Sequence, residues 1–204
     1  MRIISGKFKG KKILSDTKSK ELRPTTDFNR ENLFNILLSQ KFAEKFNFDL
    51  KDSTIIDLCC GTGAVGFEFL SRGAKKVTFV DNNFRHLEIV KINAQNLGLV
   101  NEVRFTEMDA KNSKIFSKFI GKQNDVNAIF IDPPYNENYE AIFENIKNSK
   151  ASFLEDLLII VEFTSGSKVS DYFADNFDIV EIKKYSKTSF AFLTKMKVLK
   201  HEES

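Results

Sequence analysis

The stretch Thr54-Ile55-Ile56-Asp57-Leu58-Cys59-Cys60 runs without a break into Gly61-Thr62-Gly63-Ala64-Val65-Gly66. Its β-branched and apolar residues read as a buried strand, and the glycines that follow permit a tight turn into a helix. A strand, a glycine turn and a helix in that order open a βαβ unit with a parallel sheet and a right-handed crossover. The chain then repeats the alternation. Further strands are expected over 77–81, 103–107, 127–131 and 157–162, and Phe84, Leu87, Val90, Lys91 and Ala94 have helical spacing that closes on Gly98. Two final strands, 178–185 and 189–195, are separated only by Ser186-Lys187-Thr188, which suits an antiparallel hairpin and no crossover.

Ahead of the first strand, the spacing predicts one amphipathic helix from Asp27 to about Lys45. Leu33, Phe34, Ile36, Leu37 and Phe42 form its apolar face, and Thr26 or Asp27 its cap. Residues 1–24 read as a small basic β-hairpin or arm, with Gly6 and Gly10 at turns. The expected fold is α/β: a Rossmann-like, doubly wound, seven-stranded and mostly parallel sheet with a C-terminal antiparallel hairpin. The hairpin extension over 1–24 precedes a main domain over 25–204.

At 204 residues, 42% hydrophobic and 29% charged, the chain has the size and core of one α/β domain. No run approaches the roughly 18 apolar residues of a membrane helix, and the N-terminus lacks the apolar core of a secretory signal. The two cysteines are adjacent, so neither a disulfide framework nor zinc-ligand spacing is present. A cytoplasmic monomer without metal or membrane partner is the expectation. Its charge is unevenly spread. Residues 1–24 hold eight Lys/Arg against Asp16 and Glu21, and residues 183–200 hold six lysines and no acid. Basic ends on an acidic body fit a polyanionic partner such as nucleic acid, or simply a solubilising surface.

Gly61-x-Gly63-x-x-Gly66 with Asp81 ending the next strand is shared by nucleotide oxidoreductases and S-adenosylmethionine enzymes. Asp57 favours the second, since it can receive an ammonium group through backbone or water and would repel a pyrophosphate. Asp81 suits the ribose diol of either cofactor, or caps the next helix. A nucleophilic role for Cys59 or Cys60 is disfavoured, because no histidine is near in sequence to activate either. His86 sits among charged residues and His201 in a polar tail, and neither is expected to be catalytic. The strongest motif is Asp132-Pro133-Pro134-Tyr135 at the end of the fourth strand. Two prolines fix φ and hold Asp132 extended, so its carboxylate and the neighbouring carbonyls project together. Two such acceptors can take both hydrogens of a flat exocyclic amine and aim its lone pair at an electrophile. Tyr135 offers a stacking face. Asp109, in Met108-Asp109-Ala110, could accept from an adenine amine or cap a helix. These residues alone point to a methyltransferase acting on an exocyclic or amide nitrogen.

With these motifs the chain resembles, over essentially its whole length, the bacterial small-subunit (16S) rRNA guanine-N2 methyltransferases, the RsmD-type enzymes. Arg2-Ile3-Ile4-Ser5-Gly6-Lys7-Phe8-Lys9-Gly10-Lys11-Lys12 is similar to that family's opening "RIIGGxxRGRKL". Leu22-Arg23-Pro24-Thr25-Thr26-Asp27 with Arg30-Glu31-Asn32-Leu33-Phe34-Asn35 resembles its "LRPTTDRVRETLFN", and Lys183-Lys184-Tyr185 with Thr188 its "KRYG-T" hairpin. Phe28-Asn29 replaces the usual Arg-Val, Ser5 a glycine, Lys9 an arginine, and Ser186 a common glycine. The resemblance implies methyl transfer from S-adenosylmethionine to a guanine amine of 16S rRNA, within an assembling small subunit. The implied catalytic set is Asp132, Pro133, Pro134 and Tyr135. Cofactor contacts are expected from Asp57, Cys59, Gly61, Gly63, Asp81, Asn82, Asp109 and Ala110. RNA contacts are expected from Lys7, Lys9, Lys11, Lys12, Arg23, Arg30, Lys183 and Lys184. An adenine-N6 DNA methyltransferase, a nucleotide-dependent oxidoreductase and a non-catalytic RNA-binding module stand as the other readings.

Overall fold

A computed structural model describes residues 1–15, 26–116, 126–133, 139–149, 157–167 and 169–195. Seven strands form one sheet: β1 (Thr54–Leu58), β2 (Lys76–Asp81), β3 (Val103–Glu107), β4 (Val126–Ile131), β5 (Leu158–Thr164), β6 (Phe177–Tyr185) and β7 (Thr188–Lys195). Their order is β3-β2-β1-β4-β5-β7-β6. β1 to β5 pair in parallel, and β7 enters antiparallel between β5 and β6. The order reverses between β1 and β4, which leaves a crevice at the carboxyl ends of those strands.

Alternation along the central strands separates two apolar layers. Ile55, Ala128, Phe130, Leu158 and Ile160 face one side with Phe190 and Phe192, while Ile56, Leu58, Ile129, Ile131, Ile159 and Val161 face the other. The first layer is covered by α1 (Asp27–Leu37), α2 (Gln40–Phe46), α3 (Ala64–Ser71) and α4 (Phe84–Leu97). The second is covered by α5 (Tyr139–Asn148) and α6 (Val169–Asn176). Central strands buried on both faces need continuous apolar runs, which is why they were legible in sequence.

The single helix expected over 27–45 is two helices. Ser39 breaks it: its hydroxyl donates to the Ile36 carbonyl at 2.8 Å and accepts from Phe42 N at 3.3 Å, capping α2. A short polar side chain that can bond its own backbone competes with continuation of the helix. The loop of the β6–β7 hairpin is two residues rather than three, since Tyr185 already pairs with Thr188. Ser186 takes φ 55°, in the left-handed region that a two-residue hairpin loop demands. That is the conformation glycine supplies most easily, at the position where the resembled family commonly has one.

Residues 1–15 double back through an antiparallel bridge between Arg2 and Lys12, with Ile3 and Ile13 buried. The buried Glu68 of α3 accepts from Ile4 N at 2.9 Å, Ser5 N at 3.0 Å and Arg72 Nε at 2.9 Å. Ser71 takes Lys7 N on its carbonyl and Phe8 N on its hydroxyl. Asn93 of α4 exchanges two hydrogen bonds with the Leu14 backbone. At Gly6, φ is 79° and a Cβ would overlap the Ser71 carbonyl, so the close approach requires glycine.

Candidate active site at the carboxyl edge of the sheet

The glycine turn after β1 is held by two carboxylates from neighbouring strands. Cys59 (φ 64°), Gly61 (φ 51°) and Gly63 (φ 74°) all lie in the left-handed region, and this reverses the chain within a few residues. Gly63 is the N-cap of α3 and supplies no side-chain acceptor; Asp57 does so instead, its Oδ2 accepting from Gly66 N at 3.0 Å. A Cβ on Gly66 would collide with the Phe79 ring and lie 2.8 Å from Asp57 Oδ2. This glycine is therefore required for helix–strand packing rather than for passage of a ligand.

Asp81 closes the turn from β2. Its Oδ2 accepts from Gly61 N at 2.8 Å, and its Oδ1 accepts from Asn83 N at 2.9 Å and lies 3.1 Å from His86 Nδ1. His86, set aside in the sequence, thus belongs to this cluster. Its spacing from Asp81, one helical turn past the strand end, was the available signal. Asn82 is exposed beside it.

From the other side of the switch point, Asp132 follows β4 with its N–H directed at the Leu58 carbonyl at 3.5 Å, and Pro133 is buried behind it. Three carboxylates thus converge on the crevice. Asp57 is only 2% exposed. Burial pushes its carboxyl well above the ordinary range; the Gly66 N–H pulls it back, and Asp132 and then Asp81 push it up further. Such a field favours a cationic ligand and opposes a phosphate. The N–H of Gly66 that an anion at this helix terminus would need is already spent on Asp57. The Cys60 thiol is pushed well up by burial first and by Asp57, Asp81 and Cys59 after it, which removes it as a nucleophile.

The remaining expected residues fall in several places. Asp109 Oδ1 accepts from Lys111 N at 2.8 Å, while its side chain stays 46% exposed, and Ala110 beside it is buried. Lys7, Lys9, Lys11 and Lys12 are exposed on the N-terminal segment, and Lys183 and Lys184 on edge strand β6. Lys183 Nζ sits 2.8 Å from Glu181 Oε1, which raises its pKa. Arg30, expected as a surface RNA contact, is corrected by the structure: it is 0% exposed, with Nη2 on Asp27 Oδ1 at 2.6 Å. It falls on the stripe of α1 that packs inward with Leu33, Phe34 and Leu37, so it cannot serve an outer phosphate. Arg23, Pro134 and Tyr135 lie outside the described residues. Sequence reasoning also passed over Glu162, a buried carboxylate in the apolar run of β5.

The family model described as conserved hypothetical protein 95 matches residues 1–194. The chain belongs to this family. Ribosomal RNA small subunit methyltransferase D of Buchnera aphidicola (subsp. Acyrthosiphon pisum) is 31% identical over 78% of this chain and 76% of its own. The protein of that name in Haemophilus influenzae is 36% identical over 68% of this chain and 65% of its own. Among solved structures, yhhF of Escherichia coli superposes with a TM-score of 0.72 at 25% identity, covering 97% of this chain and 99% of that one. M. capricolum TrmK, solved with S-adenosylhomocysteine, shares the fold at a TM-score of 0.55 and 16% identity, over 82% of this chain and 73% of its own. The family member described here is a methyltransferase with a Rossmann-like sheet. Among its described residues no helix is long and apolar enough to cross a membrane.

Proposed function

We propose that this methyltransferase moves one methyl group from S-adenosylmethionine to the exocyclic N2 amine of a guanine in 16S rRNA. It does so in the cytoplasm, as a monomer, on an assembling small subunit. The observation that carries the reading is the placement of Asp132 and Pro133 against the glycine turn, across a crevice whose carboxylates suit a cation. The relatives named ribosomal RNA small subunit methyltransferase D support the rRNA substrate.

When bound, S-adenosylmethionine supplies an electrophilic methyl on a positively charged sulfur. The residues present fit such a group. Asp57 and Asp81 hold the turn, Asp81 and Asp132 supply negative potential, and the buried Cys60 offers no competing nucleophile. The Asp132 carboxylate and the Pro133 carbonyl accept the two N2 hydrogens, which turns the nitrogen lone pair toward the methyl. Once the amine had been methylated, Asp132 would take the proton it releases and pass it to solvent. Residues that hold the amine oriented toward the bound cofactor would contribute roughly 7–11 kcal/mol of the barrier. Tyr135 stacks on the base in this scheme. Cys59, Gly61, Gly63, Asn82, Asp109 and Ala110 line the cofactor side. The four N-terminal lysines, Arg23, Lys183 and Lys184 grip phosphates, and residues 1–24 act as an RNA-gripping unit ahead of the catalytic domain over 25–204.

The test is mass-spectrometric mapping of methylated guanines in rRNA from cells with and without the gene. One guanine losing its N2-methyl in the deletion is expected, and an unchanged map overturns the reading. Thermal shift separates the cofactor classes. S-adenosylhomocysteine at 100 times its Kd adds about 2.7 kcal/mol, while NAD and NADP should add nothing.

A further inference from the structure

The two lysine-rich ends of the chain, far apart in sequence, meet on one turn of helix. Arg2 of the N-terminal segment reaches the first turn of α1, its Nε 3.3 Å from Asp27 Oδ2, and its backbone bridges to Lys12. On the other flank of that turn, Asn29 Nδ2 donates to Thr188 Oγ1 at 3.0 Å. The Phe28 ring stands 6.3 Å from the Tyr185 ring, edge to face. Tyr185 and Thr188 are the pair that closes the β6–β7 hairpin. Lys184 before them and Lys187 in the loop are both exposed. The first turn of α1 is thus the seam between the two basic regions.

Phe28 occupies that seam. At 62% exposure it is the most exposed large apolar side chain among the described residues. A single apolar side chain on a surface is ordinary. Phe28 differs in being held. Tyr185 is half-buried against the core layer under α1, and the edge-to-face contact fixes the phenyl ring in front of it. Phe28 also lies off the inward stripe of Asn29, Arg30, Leu33 and Phe34, so the packing of α1 keeps it outside. Its position is on the rim of the crevice. Thr188 pairs with Thr164 at the end of β5, and β5 is parallel to β4, in register through Ile131 and Val161. Asp132 follows Ile131, so Thr188 lies two strands over and two residues further out, on the order of 12 Å between backbones.

A fixed aromatic face flanked by lysines is complementary to an unpaired nucleotide, whose base stacks while its phosphates meet the cations. Drawing one base into the crevice also takes away the stacking partner of its neighbour in the strand, which then gains from another flat surface. We infer that Phe28, oriented by Tyr185, is a stacking platform for a base flanking the methylated guanine, with Lys184 and Lys187 beside its phosphates. The inference rests on the RNA substrate proposed above and adds to it a site for a second base. Because every base has a π-face, the platform supplies grip rather than sequence choice.

The experiment uses the full-length protein and the rRNA segment containing the guanine found by mapping. Phe28→Leu keeps an apolar side chain and loses the flat face, and it should weaken affinity for that RNA roughly 5- to 150-fold. The dependence of affinity on salt should keep its native slope, since stacking releases no counterions. Binding of S-adenosylhomocysteine should be unchanged. The chain has no tryptophan, so Phe28→Trp puts its only indole on the platform. That variant should bind RNA like the wild type and lose emission as it does so. With an abasic nucleotide at one flanking position, the wild type should fall to the affinity of Phe28→Leu, and Phe28→Leu should lose nothing more. Native affinity in Phe28→Leu, a flattened salt slope, or unquenched emission from RNA-bound Phe28→Trp each overturns the platform. A defect confined to assembled subunit particles, with naked RNA bound normally, would put a protein on Phe28 and overturns it too. If Phe28→Leu does not fold, the indole emission and the abasic series on the wild type still decide, and the absence of any sensitive flanking position overturns the platform. A wild type that methylates no guanine in rRNA removes the function reading and this inference with it, whereas an active wild type with native RNA affinity in Phe28→Leu removes the inference alone.

Discussion

The two halves of the crevice are built differently. On the β1–β2 side, hydrogen bonds that the protein makes to itself define the site. Asp57 holds Gly66, Asp81 holds Gly61 and Asn83, and His86 braces Asp81. On the β4 side, Asp132 follows the strand end with its N–H directed at Leu58, and in the covering helix α1 Arg30 is buried with Nε and Nη1 unmet among the described residues. The contrast suits two ligands of different standing. A cofactor that every turnover uses is met by a preformed turn, whereas under the proposed function the acceptor base would be met by fewer prearranged groups.

The sharpest way to break this comparison is Asp132→Ala. If the halves are separable, methyl transfer falls roughly 10²- to 10³-fold, while S-adenosylhomocysteine affinity by calorimetry stays at the native value. A parallel loss of cofactor affinity would merge the halves. Asp81→Ala strikes the other side. It removes a buried acceptor of several hydrogen bonds, and cofactor affinity should weaken by about 1.5–3 kcal/mol. Affinity for substrate RNA, measured without cofactor, should not move.

A smaller effect is expected from a region outside both halves. Replacing Lys7, Lys9, Lys11 and Lys12 with glutamine should weaken RNA binding and flatten its dependence on salt. Each lost phosphate contact lowers the log–log slope by about 0.7 on single-stranded RNA. A native slope in the quadruple variant would make these lysines mere solubilising surface. The smallest effect concerns Asp57. Burial holds its carboxyl in the folded protein well above the ordinary 3.8. Between 3.8 and that raised value the native state holds a proton which the unfolded chain has released. The free energy of unfolding therefore falls as pH rises through this window. Asp57→Asn keeps an acceptor for Gly66 N–H and removes the titration. Chemical denaturation over a pH series should show the slope flattened and stability above the window raised.

Most of the sheet could be read from sequence because its central strands are apolar on both faces and its turns carry glycine. The same local signal found the glycine turn, Asp57, Asp81 and Asp132, each lying at a strand end. What escaped was set by partners distant in the chain. Arg30 looks like any exposed basic residue until α1 is laid on the sheet and its stripe turns inward. His86 gains meaning only when Asp81 is seen to reach it. Glu162, an acid within an apolar run, was nevertheless a visible anomaly. The break at Ser39 is a different failure, since the apolar periodicity continues across it while a hydroxyl takes over the backbone bonds.

The clamp on the N-terminal segment has a consequence in time. Ile4 and Ser5 bind a carboxylate 64 and 63 residues further along the chain, and Leu14 binds a side chain 79 residues further. These residues leave the ribosome before α3 and α4 and must wait, with their lysines uncovered, until those helices have been made and packed. Contacts of such sequence separation form late, after the loop between them has been closed. This basic segment is thus synthesised before the helices that hold it and is among the last parts of the domain to be folded.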